Sequence, residues 1–359
     1  MEQKYNNDGL PVGSVSETVS ETITDGRVVP MDERPIKRRF PWFKIAIIMA
    51  LVGGVLIGIG HLAGGHNAGM FWSGGFSITA ATNTTSFTEF SNISNLYITS
   101  SSARIIVEER NQGPFGIHLL NIDPEVINIS GNTARVNVRN LGTTGIQIRG
   151  LGFYTDLRQE IRVYVPGSLQ NVNVQSSSGR VTINGITAVS FDTATSSGRL
   201  EITNTTAENL TARTSSGALR LNNIIADTFT GRSSSGRISG ESLYFGSAQI
   251  ESSSGAIVIS DITWTSLNAN SSSGRINLSE TNIRPQGGST NIESRSGTVI
   301  LEIEGSLSNY RVEANSNSGS IVIDGERARN GSRRSLQAGT GNHNISLRTS
   351  SGRISVQFD

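Results

Sequence analysis

The stretch Ser176-Ser177-Ser178-Gly179-Arg180-Val181-Thr182-Ile183 decides how the chain is read, because its Ser-Ser-Gly signal recurs with glycines at 198, 217, 236, 255 and 274. Each of these intervals is 19 residues. A fixed period near 20 residues marks a solenoid, in which one supersecondary unit is stacked many times. Looser copies follow at Gly297, Gly319 and Gly352. The nine repeat glycines, Gly179, Gly198, Gly217, Gly236, Gly255, Gly274, Gly297, Gly319 and Gly352, are read as structural. Each sits either where the backbone turns with positive φ or where one coil approaches the next closely.

Counting from each glycine turns the repeat into columns. Two residues on stand Val181, Leu200, Leu219, Ile238, Ile257 and Ile276, continued by Val299, Ile321 and Ile354, and all are apolar. Four on stand Ile183, Ile202, Leu221, Gly240, Ile259 and Leu278. Positions two and four share one face of a strand, since side chains alternate across it. Further largely apolar columns fall at position seven (Ile186, Thr205, Ile224, Leu243, Ile262) and position twelve (Phe191, Leu210, Phe229, Ala248, Leu267). The pattern predicts about two short strands per coil, joined by turns rich in Asn, Ser and Gly. One coil buries too little apolar surface to offset the entropy of ordering it, so stability must come from stacking.

The surface columns fit parallel, in-register stacking. The residue after the glycine reads Arg180, Arg199, Ala218, Arg237, Ala256, Arg275. Like charges on coils about 4.8 Å apart repel by about 1 kcal/mol in water, and alternating Arg with Ala relieves most of that. The same register would set Glu201 beside Arg220 and Arg232 beside Glu251.

The fold class expected is all-β: a single-stranded β-solenoid, or β-helix, of about 19-residue coils, preceded by one transmembrane α-helix. Low charge with abundant Gly, Ser, Thr and Asn suits turns and strands better than helices. The chain contains no cysteine, which removes disulfides, thiol nucleophiles and zinc-thiolate sites. All three lysines, Lys4, Lys37 and Lys44, precede residue 45, and the remainder carries 23 Arg against 22 Asp and Glu. No basic field argues for nucleic acid, so no nucleic-acid partner is expected.

In chain order, residues 1–43 read as a disordered cytoplasmic tail ending in the basic cluster Lys37-Arg38-Arg39. Residues 44–65 read as a transmembrane helix. Its apolar run Ile45–Ala63 is 19 residues long, about 28 Å as a helix, and Trp42 and Phe43 stand at the near interface. A cleaved signal peptide fits less well, because both the leading region and the apolar core are too long. Basic residues before the span place the N-terminus in the cytoplasm and the repeats outside, giving a single-pass protein of the cell membrane. Residues 66–89 read as a tether, 90–175 as an N-terminal β region capping the solenoid, and 176–359 as the solenoid. Ser100-Ser101-Ser102-Ala103-Arg104-Ile105 looks like a degenerate copy of the repeat. The final Ile354–Phe358 reads as a last strand.

The run Ile161-Arg162-Val163-Tyr164-Val165-Pro166, followed by Val172-Asn173-Val174 and then by repeated Ser-Gly-Arg-Val/Ile units, resembles the toast-rack (DUF4097-type) family of adhesin-like bacterial envelope proteins. The resemblance covers roughly residues 90–358. It implies a β-repeat domain behind one membrane span, in some cases alongside cell-envelope stress-response systems. It supplies no shared catalytic residues.

Candidate chemistry is sparse. His61, His66, His118 and His343 show no metal-ligand spacing, so no metal site and no cofactor are expected. Two carboxylate pairs share columns of adjacent coils, Asp261 with Glu280 and Glu208 with Asp227, at about the separation used by retaining glycosidases. Turn-forming Asx residues explain those columns better, and no catalytic residue is assigned. The row Arg180, Arg199, Arg237, Arg275 is the candidate ligand-facing ladder, for an anionic wall polymer or lipid headgroups. The function expected is a non-enzymatic, membrane-anchored, adhesin-like module that binds or supports envelope components. Its partners would be the membrane itself and either a cell-wall polymer or another membrane protein. The alternatives are a sensory accessory of an envelope stress response and, less favoured, a polysaccharide-active β-helix enzyme.

Overall fold

The computed structural model describes residues 84–138, 158–284, 288–328 and 334–359, the backbone of four short strands within 68–80 and 145–154, and Ile47 and Val52. The tail 1–43 and nearly all of the span 44–65 lie outside the described residues. Among those described, no helix is long and apolar enough to cross a membrane.

The all-β solenoid reading holds. Leu200, Leu219, Ile238, Ile257 and Ile276 pair successively, each with its equivalent one coil on, in parallel and in register. These residues are fully buried. The coil itself departs from the two-strand expectation. In Leu200–Thr214, Leu219–Ser233, Ile238–Ser252 and Ile257–Ser271 the chain runs as strand through 15 residues, bent at a left-handed corner within each. Pairing with the next coil lapses at positions six and ten, so each coil has three paired segments: Leu200–Thr203, Thr205–Ala207 and Asn209–Thr214 in the first of them. A third buried column follows at position nine: Ala188, Ala207, Ala226, Phe245, Trp264 and Ile283.

Position six is the left-handed corner. Gly185, Asn204, Asn223, Ser242, Asp261 and Glu280 have φ of 74, 49, 51, 56, 48 and 51°. Positive φ crowds Cβ against the carbonyl and is tolerated best by Gly and Asn. The repeat glycines are instead places of close approach. A Cβ on Gly198 would collide with the carbonyl oxygen of Gly179, one on Gly217 with that of Gly198, and so on through Gly274 and Gly297.

Core volume is traded between coils. Phe229 folds over Gly231 of its own coil and stacks on Phe245 of the next, with ring centroids 4.6 Å apart and planes 10° from parallel. Ala248 stands where a second Phe at position twelve would compete for that space. Leu243 likewise fills the space left by Gly240.

The ends of the stack do not follow chain order. The degenerate copy Asn95–Glu109 lies between Leu169–Asn184 on one side and Thr133–Val138 with Glu160–Val165 on the other. Beyond these, Phe115–Leu120, Thr85–Phe90 and Ile127–Ser130 run antiparallel and cover the strand edges. At the other end, His343–Thr349 and Ile354–Phe358 slide between the coil at 289–303 and the coil at 310–323. The last strand in sequence is thus interior to the stack, and the antiparallel Arg334–Ala338 and Glu326–Arg327 cover its end. A separate four-stranded antiparallel sheet joins Ala68–Trp72 and Phe76–Ala80 to Gly145–Arg149 and Gly152–Tyr154. Part of the stretch expected to be a tether is therefore strand.

Candidate functional site

The corner that carries the repeat motif is built by a buried hydroxyl. Three residues before the glycine stand Ser176, Thr195, Thr214, Ser233, Ser252, Ser271, Ser294, Ser316 and Thr349, and Ser100 holds the same place before Ala103; all are buried. Thr195, Ser271, Ser294, Ser316 and Thr349 accept the N–H of the glycine at 2.7–3.1 Å, while Thr214 and Ser233 donate to its carbonyl at 3.0 and 2.8 Å. This short loop turns the backbone sharply and leaves the residues around it outside the core. Backbone hydrogen bonds then tie each corner to the one before it, as from Ser215 N to Thr195 O and from Ser216 N to Ser196 O.

Because every coil turns at the same place, the corners align into an open groove of about 830 Å³ that runs from Thr99 to Arg295. Its lining includes Ser177, Ser196, Ser215, Ser234, Ser253 and Ser272, all exposed and one per coil. Along one wall stand Gln175, Ala194, Arg213, Arg232, Glu251, Asn270 and Glu293. Arg213 pairs with Asp192 at 3.5 Å and Arg232 with Glu251 at 3.1 Å. The second of these cross-coil pairs is the one the register predicts. The other, Glu201 beside Arg220, is in register but forms no ion pair among the described residues.

Beyond the corner, Arg180, Arg237 and Arg275 are exposed, and Arg199 is half-buried. Among the described residues none of the four has an acidic partner within ion-pair distance. Arg104 and Arg353 occupy the same position in coils whose sequence places them far away, so the row is longer in space than the local repeat suggests. Arg104 is drawn toward Glu160 at 3.7 Å.

The carboxylate pairs fall at corners. Asp261 and Glu280 are left-handed residues, and Asp261 accepts a hydrogen bond from the Ser242 hydroxyl at 2.8 Å. In earlier coils the corner carries an amide ladder, Asn223 donating to Asn204 at 2.8 Å and Asn204 to Asn184, the residue before the Gly185 corner, at 2.9 Å. Glu208 and Asp227 lie at position ten, where pairing lapses. Among the described residues no group of three His, Asp or Glu side chains is placed to hold a metal. A second hollow of about 410 Å³ is lined by Phe87, Glu109, Arg110, His118 and Tyr164. The Arg110 guanidinium lies 5.8 and 5.9 Å from the Phe87 and Tyr164 rings and pairs with Glu89 at 2.8 Å.

A feature the sequence reading missed is a polar chain inside the C-terminal coils. Trp264 Nε1 donates to Thr290 Oγ1 at 2.8 Å, and Thr290 Oγ1 lies 3.0 Å from His343 Nε2. His343 is buried, its Nδ1 has no partner among the described residues, and burial pushes its pKa below the usual histidine value. Burial also pushes the neighbouring Tyr310 hydroxyl up. No spacing in the sequence points to this chain, since its members meet only when the last coil is inserted.

Fold and groove together define a parallel β-solenoid with an open polar corner groove. The chain belongs to the Toastrack DUF4097 family, whose sequence profile matches residues 93–357. Among solved structures it is similar to a "putative lipid binding protein" from Parabacteroides distasonis, at 16% identity over 76% of this chain and 96% of that one, with a TM-score of 0.47. It is also similar to proteins described as a "putative adhesin" from Bacteroides fragilis and from Parabacteroides merdae. Each is 12% identical, covering 77% and 76% of this chain and 97% and 95% of theirs, with TM-scores of 0.39 and 0.42. No curated protein matches the sequence.

Proposed function

We propose that this chain is a non-enzymatic, adhesin-like module, anchored by the apolar segment 45–63 and held outside a bacterial cell, where it binds or supports envelope components. The observation that carries this reading is the in-register stack. Every outward column, the arginine row and the corner serines among them, repeats at a spacing of about 4.8 Å along the stack. Such a surface is suited to a polymer that also repeats, because many weak contacts made in register add up to avidity. The basic cluster Lys37-Arg38-Arg39 before the apolar run supports an inside N-terminus.

The test is to express the full chain in a bacterial host, treat intact and lysed spheroplasts with protease, and follow an epitope at the C-terminus. Digestion in intact spheroplasts is expected, as is co-sedimentation of the detergent-extracted protein with purified cell walls. An epitope protected until lysis would overturn the topology. A protein that stays in the supernatant at every wall concentration would overturn the binding role.

A further inference from the structure

The corner groove carries more information than a turn requires. The turn is made by the hydroxyl three residues before the glycine and by the glycine itself. The residue between them and facing the groove, two before the glycine, is serine in six consecutive coils: Ser177, Ser196, Ser215, Ser234, Ser253 and Ser272. None of these hydroxyls has a hydrogen-bond partner among the described residues. The fold does not demand serine there, because Arg295 and Asn317 occupy the same position in later coils without disturbing the corner.

A second observation falls in the middle of the same groove. Ser252 lines it and is 5% exposed, yet its hydroxyl has no hydrogen-bond partner among the described residues, although its equivalents Thr195, Thr214, Ser233 and Ser271 all bond the glycine that follows. A buried polar group left unpaired is costly and in native proteins is generally satisfied by something. Because Ser252 lines the groove, a guest seated there is the partner this hydroxyl lacks within the chain.

The lining also constrains what the guest is. It offers hydroxyls and amides, no aromatic ring, and three arginines against two glutamates, with Arg232 and Glu251 neutralising each other. A polyanion gains little from so balanced a wall, and an apolar ligand gains less. We infer that the groove binds an extended, uncharged, β-1,4-linked polysaccharide lying parallel to the solenoid axis. The coil spacing of about 4.8 Å is close to the advance of one pyranose in such a chain, whose alternate rings are turned over, so serines two coils apart hydrogen-bond equivalent edges of the sugars. This rests on the envelope-binding reading above and names the polymer class and surface for it.

The test uses the full chain in detergent micelles and titration calorimetry with the β-1,4-linked N-acetylglucosamine hexamer, its trimer and a short polyphosphate. The hexamer is expected to bind at least about tenfold more tightly than the trimer, because it spans more coils. A Ser215→Arg/Ser234→Arg double variant, which copies the arginine found naturally at position 295, should unfold at the wild-type temperature and lose at least about tenfold in affinity. Ser252→Ala should weaken binding without lowering stability. Equal binding of hexamer and trimer, full affinity in the double variant, tighter binding of polyphosphate, or no hexamer binding would each overturn the inference. Persistence of wall co-sedimentation after any of these would leave the broader reading standing.

Discussion

Gly319 packs against the carbonyl of Gly352, which comes later in the chain, and Gly352 packs against Gly297. The glycine column is therefore continuous in space but out of sequence order, and the C-terminal coil acts as an inserted strand rather than a last one.

Removing the inserted coil should unseat its neighbours. A chain ending at residue 342 leaves the coil at 310–323 without its parallel partner and opens the edge of the coil at 289–303. Hydrogen exchange is expected to show loss of protection through 289–323 while coils before Gly274 stay protected. Retained protection at Val312 and Ile321 would contradict this.

Glycine at the corner is required for space, not for conformation. Gly217→Ala drives a methyl into the backbone carbonyl of Gly198, which cannot move without breaking the pairing of both coils. A loss of at least about 2 kcal/mol in denaturant unfolding is expected, against no change for Ser216→Ala at the exposed neighbour.

Position six makes the opposite case. Glu280 is exposed and held at φ 51°, a conformation that costs an ordinary side chain roughly 1–2 kcal/mol and that Asn adopts more readily. Glu280→Asn should raise stability by about 1 kcal/mol, measurable as a higher unfolding midpoint. Unchanged or lowered stability would show that the carboxylate has a role beyond the corner.

Acid should weaken the C-terminal coils first. The neutral His343 ring fits its buried site, whereas a protonated ring must donate at both nitrogens and Nδ1 has no acceptor among the described residues. Its folded pKa lies below the ordinary value of about 6.5, so its contribution is intact above that pH and is lost as pH falls through the folded value. Thermal unfolding is expected to drop as pH falls below about 6.5, and His343→Gln should flatten that dependence. An equally steep drop in the variant would place the acid sensitivity elsewhere.

The 19-residue period, the apolar columns at two and four, and the cross-coil pair Arg232–Glu251 were legible because each depends only on spacing along the chain. Period and register follow from one another once like residues must stack. The third segment of the coil was harder to read, since its column begins with Ala188, Ala207 and Ala226 and becomes bulky only at Phe245 and Trp264. The two meanings left open for the repeat glycine, positive φ or close contact, are indistinguishable in sequence. Only the position of the neighbouring coil separates them.

The candidate site divides in the same way. The sequence by itself determined that serines and arginines recur, and therefore that they form rows. Tertiary structure alone decided that the serines line a groove with one unpaired buried hydroxyl in its wall, that Arg104 and Arg353 extend the arginine row, and that His343 meets Thr290. Those relations join residues tens to hundreds of positions apart. They are set by which strand edges remain unpaired when the coils stack, and the ends of the solenoid settle that by taking in strands out of chain order.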